Sequence, residues 1–143
     1  NEGIAETCLH QLKSHDDDLI LYTLMLLVHL SKRAHHRAVL VHIGLVQVLQ
    51  DLFFACYGVL QHKLRLVTEL CSVLGQMCNE DATRKYVSDN YQVIECLFNI
   101  FETSVSSDRR PGDTYPPNAT KIISKVLFVL KQLCAGSMTL KDR

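Results

Sequence analysis

Seven histidines and six cysteines are the residues of this chain best suited to hold a metal or attack a substrate. Their spacing argues against both. His35 and His36 are adjacent, so on a helix they point to different sides, and Cys8 and His10, two apart, diverge as well. Cys71 and Cys78 share a helix face, but that face is a leucine stripe. No two cysteines form a CxxC pair, the local spacing that most zinc and redox sites use. Hydrolytic chemistry needs a nucleophile on a tight turn or a pair of carboxylates on an open face. Neither a Gly-x-Ser-x-Gly motif nor a glycine-rich phosphate loop is present. The one carboxylate run, Asp16-Asp17-Asp18, is better explained as the capped, electropositive start of a helix. The expectation is a chain that is not an enzyme and holds no metal or cofactor.

The remaining polar features are modest. Lys32, Arg33, His35, His36 and Arg37 form the one basic cluster, read as a solvated joint between helices. Asn118-Ala119-Thr120 fits a glycosylation sequon. Cys8, Cys56, Cys71, Cys78, Cys96 and Cys134 each fall inside an apolar helical pattern. They are expected to be reduced core thiols, which fits a cytoplasmic setting and is compatible with a nuclear one.

The elements that position these residues follow from apolar periodicity. Leu45, Val48, Leu49, Leu52 and Phe53 recur at helical spacing, as do Leu19, Thr23, Leu26, Leu27 and Leu30. Val67, Leu70, Cys71, Leu74 and Cys78 do the same. So do Ile123, Val126, Leu127, Leu130, Leu133 and Cys134. No sustained alternation of period two is present, so the class is all-α. Breaks are expected at Ser14 to Asp16, Gly44, Gly58 and Asn79 to Asp81. A loop is expected over 104–118, where all three prolines lie.

Length and charge bound what such helices serve. The 143 residues suffice for one domain, and 48% apolar content is too high for disorder. Fifteen basic residues balance fifteen acidic ones, which leaves no overall footprint for nucleic acid or an anionic membrane. The apolar stretch Leu19 to Val28 rises about 15 Å as a helix, half of a bilayer core, so a core helix is expected and not a span. The acidic run before it is the reverse of a signal peptide. Asn1 in place of Met reads as a piece of a longer chain.

Overlaying the chain on itself reveals a repeat. Gly3-Ile4, Cys8 and Leu12 match Gly44-Leu45, Leu49 and Phe53 at an offset of 41. The stretch from Leu19 through His29 and Ser31 to Arg37 matches Leu66 through Gln76 and Cys78 to Arg84, at 47. Met77-Cys78 matches Leu133-Cys134 at 56, the loop lying inside the interval. Such periods belong to stacked helical units. His35 to His42, Gly44 to Cys56 and Leu60 to Cys78 read as a short, a middle and a long helix of one unit.

With "Leu40-Val41-His42-Ile43-Gly44-Leu45-Val46" and "Leu26-Leu27-Val28-His29-Leu30-Ser31", this unit resembles the armadillo repeat family. The resemblance implies a right-handed α-solenoid of about two complete and two partial units. These are placed at 1–33, 34–79 and 80–136, with a stub at 137–143, and Tyr91 stands where the second unit's glycine belongs. It further implies a protein-interaction scaffold whose third helices line a groove for a peptide or helical segment of a partner. Import adaptors of the family use a tryptophan and, four residues on, an asparagine on each third helix. The matching positions here are Met25 and His29, Ser72 and Gln76, Phe128 and Gln132. No tryptophan is present, so the resemblance does not extend to nuclear-localisation signals. Tyr22, Glu69 and Lys125 stand one turn earlier, and Arg65 and Lys121 a turn before that, a mixture that suits a partner of both signs. Neither end of the repeat carries a polar cap, so a structural or self-associating segment of a larger solenoid is the second expectation.

Overall fold

The structure is a computed structural model that describes residues 2–58, 63–106 and 117–135. Among the described residues it is all-helical: α1 (Glu2–Gln11), α2 (Asp17–Leu30), α3 (Ala34–His42), α4 (Leu45–Tyr57), α5 (Leu64–Met77), α6 (Asp81–Asp89), α7 (Tyr91–Ser106) and α8 (Pro117–Ala135). The proposed stub and the middle of the proline-containing loop lie outside the described residues. The loop's expected edges do not hold. α7 runs on through Ser106, and Pro117 opens α8, where a missing N–H costs nothing because the first turn has no intrahelical acceptor for it.

Local chemistry explains the boundaries. Asp16 caps α2, its carboxylate accepting from the amides of Asp18 and Leu19 at 3.0 and 3.3 Å. Gly44 has φ of +89°, a conformation that costs a side-chain-bearing residue about 1 kcal/mol or more. There the chain turns 76° from α3 into α4. The corresponding joint between α6 and α7 is made at Asn90 with negative φ, so Tyr91 needs no glycine's freedom.

The last helix of each unit, the long helix of the repeat pattern although α7 outruns α2 and α5, packs against the one before it: α2 on α1, α5 on α4 and α8 on α7. The three long helices also pack in a row, α2 on α5 and α5 on α8. Burial follows the row. In α5, flanked on both sides, Val67, Leu70, Cys71, Val73 and Met77 are all buried, as is the capping Cys78. In α2 the buried face is Ile20, Leu21, Thr23, Leu24 and Leu27, so the expected stripe is displaced: Leu19 and Leu26 are exposed. In α8 the buried residues are Ile122, Val126, Val129 and Leu133, with Leu127 exposed. The reason is position in the row, since α2 and α8 each have a long neighbour on one side only.

One interaction recurs with the repeat. Arg37 donates to the carbonyl of Ser31 at 3.0 Å, and its sequence match Arg84 donates to the carbonyl of Cys78, the match of Ser31, at 2.6 Å. Each guanidinium satisfies a carbonyl at the C-terminus of a long helix, where intrahelical donors have run out. Arg37 also meets Glu80 at 3.0 Å, and Arg84 pairs with Asp81. The basic cluster is therefore less free than expected, because Arg37 is a structural clasp.

Candidate partner-binding surface

The row of α2, α5 and α8 sets the expected groove residues on neighbouring helices. Tyr22 and His29 of α2 are exposed, with Met25 half-buried between them. On α5, Arg65 is exposed, and Glu69 and Gln76 are half-buried. On α8, Lys121 is exposed and Lys125, Phe128 and Gln132 are half-buried. Ser72 departs from expectation. It is 3% exposed and its hydroxyl donates to the Thr68 carbonyl at 3.3 Å, so it serves the core and offers a partner nothing.

Two further side chains hold the row together. A Cβ added at Gly75 would lie 2.5 Å from the Phe128 ring, so ring and backbone are already in contact. Gln132 donates to the Gly75 carbonyl at 3.2 Å and to Asn79 Oδ1 at 3.0 Å. Phe128 and Gln132 thus fasten α8 to α5, a task the sequence pattern did not suggest. Gln76 is different, for its side-chain amide makes no hydrogen bond among the described residues.

The charge on this surface is less balanced than the residue types alone imply. Glu69, the one carboxylate among the expected groove residues, lies 3.9 Å from Lys121, and Asp18, exposed on α2, stands at the position that matches Arg65 and Lys121. At that distance and exposure the Glu69–Lys121 pair adds little stability, but it offsets one cation, and among the described residues Arg65 and Lys125 form no salt bridge.

Among the described residues, no three His, Cys, Asp or Glu side chains converge as a metal would require. All six cysteines are free. Cys8, Cys56, Cys71 and Cys78 are buried, Cys96 is half-buried, and Cys134 is exposed, against the expectation that all six lie in the core. Burial pushes the Cys71 and Cys78 thiols up to about 12, and Cys8, Cys56 and Cys96 also upward, so none is activated as a nucleophile. His35 and His36 rest with ring centroids 4.1 Å apart, and buried Nδ1 of His36 lacks a partner. Among the described residues no single helix is long and apolar enough to cross a membrane. Compared with protein-family models, with curated proteins and with solved structures, the chain matches none.

Proposed function

We propose that this chain is a non-enzymatic, armadillo-type α-solenoid segment that holds an extended segment of a protein partner across α2, α5 and α8. The observation that carries the reading is the row itself, three long helices side by side with reachable polar and aromatic side chains on each. The recurring Arg37 and Arg84 clasps support a repeated unit, because the same bond forms at the same place 47 residues on. A surface of this kind suits an extended backbone. The free amide of Gln76 can both donate to and accept from a peptide group, and His29 stands at the matching position on α2.

Arg65 and Lys125, which form no salt bridge among the described residues, support a partner with acidic side chains. A segment with carboxylates flanking one or two apolar side chains would meet both, its apolar groups resting on Tyr22 and Met25. Arg65 can take a carboxylate through two parallel N–H bonds, a geometry lysine lacks.

Selection of a random peptide library on the immobilised protein tests this. The expected consensus is rich in Asp and Glu, and binding should weaken as salt is raised. Arg65→Glu should abolish it, while Gln47→Ala with Asp51→Ala, on exposed positions of α4, should not. Peptides that keep their affinity for the Arg65→Glu protein would move the site elsewhere.

A further inference from the structure

The largest exposed apolar side chains among the described residues are not scattered. Ile4, Leu19, Tyr22 and Leu26 lie on α1 and α2, and Phe98 and Leu127 on α7 and α8, with none on the middle helices α3 to α5. For Leu26 and Leu127 the sequence repeat says what each would touch. Leu26 is 45% exposed, whereas its matches Val73 and Val129 are fully buried. Leu127 is 47% exposed, whereas its matches Leu24 and Cys71 are fully buried. Within the chain, positions like Leu26 are covered by the preceding long helix and positions like Leu24 by the following one. The two outer faces are therefore the two halves of one kind of seam.

We propose that copies of this chain stack head to tail, the α7–α8 face of one on the α1–α2 face of the next. Charge selects this arrangement over a symmetric one. Inside the chain Glu69 of α5 lies 3.9 Å from Lys121 of α8. The positions that match this pair one step further along are Lys125 and, on the next copy, Asp18, opposite in sign again. Two α1–α2 faces brought together would oppose their exposed Asp16 and Asp18, and two α7–α8 faces their Lys125 and Lys131. Like charges placed together disfavour both pairings. Lys131 occupies the place that Gly75 holds in the inner seam, so the backbones cannot approach as closely there and the contact between copies is reversible. A contact between two different faces leaves one free face at each end of a stack, so stacks lengthen with concentration until the rotation per step closes a ring. Lys125 and Tyr22 belong to the peptide surface as well, so stacking and peptide binding compete for them, whereas Leu26 and Leu127 serve the stacking alone.

Sedimentation velocity of the wild-type chain and of Leu26→Asp and Leu127→Asp tests the stacking. Both substitutions fall on exposed positions, and circular dichroism verifies that each variant is folded. The wild type should grow beyond a dimer as concentration rises by about a hundredfold, and should shorten in high salt. Each variant alone should remain a monomer. Mixed in equal amounts, they retain one good face each and should form a dimer and nothing larger. A wild type that stays monomeric throughout, or a single variant that still pairs with itself, would overturn the proposal.

Discussion

Replacing Gly75 by alanine tests the packing of α5 on α8, because two opposing effects of known size meet there. Alanine in the middle of a helix is favoured over glycine by up to about 1 kcal/mol. Against that, the new methyl carbon would stand 2.5 Å from two atoms of the Phe128 ring, roughly 1 Å inside normal contact. Overpacking of this kind costs about 1–3 kcal/mol. Phe128 is only half-buried and can move outward, which places the penalty toward the lower end, but moving it also disturbs the bond from Gln132 to the Gly75 carbonyl. The net expectation is a loss of about 1 kcal/mol in urea unfolding. In a Phe128→Ala background the obstruction is gone, and the same substitution should stabilise by about 0.5–1 kcal/mol. The double-mutant cycle should then show a coupling of about 1–3 kcal/mol. Equal effects of Gly75→Ala in both backgrounds would mean that the ring does not lie over this glycine.

Leu27→Ala and Leu74→Ala, at matched and buried positions of α2 and α5, should each cost about 2–5 kcal/mol in thermal or urea unfolding. Gln132→Ala should lower stability by about 0.5–1.5 kcal/mol through its two lost bonds to α5. Gln76→Ala should leave stability nearly unchanged and weaken peptide binding about two- to twelvefold, measured by calorimetry. The thiols impose a pH dependence. Cys71 and Cys78 ionise near 9 in the unfolded chain and near 12 in the folded one, so the unfolded state loses protons first. Stability from these two groups is fully present below pH 9 and should fall by about 1.4 kcal/mol per pH unit for each thiol above it. Denaturant midpoints that do not fall between pH 9 and 11 would contradict their burial.

Much of the fold is legible in the residues because it depends on local chemistry. Apolar spacing marks the helices, Asp16 caps one, and Gly44 makes the turn that only a left-handed backbone permits. What the pattern could not supply is which flank of a helix has a neighbour. Leu19 and Leu26 belong to the same apolar run as Leu27, yet only Leu27 is buried, since the difference lies in what stands beside α2. The surface shows the same division. His29 and Gln76 are reachable as their positions imply. Ser72 and Gln132 instead turn to structural bonds, because Gly75 lets α8 approach α5 closely enough for Gln132 to reach a backbone carbonyl. That approach is a long-range fact, and a small residue in a helix is its one trace in the sequence.

The most direct measurement is a titration of a selected acidic peptide into 15N-labelled protein, followed by amide chemical shifts. If the partner lies across the row, the largest changes should fall on α2, α5 and α8, around His29, Arg65, Gln76 and Lys125. They should be absent from the Arg65→Glu protein at the same peptide concentration. Changes concentrated on α4, around Gln47 and Asp51, or spread without preference over all eight helices, would contradict a partner surface formed by the three long helices.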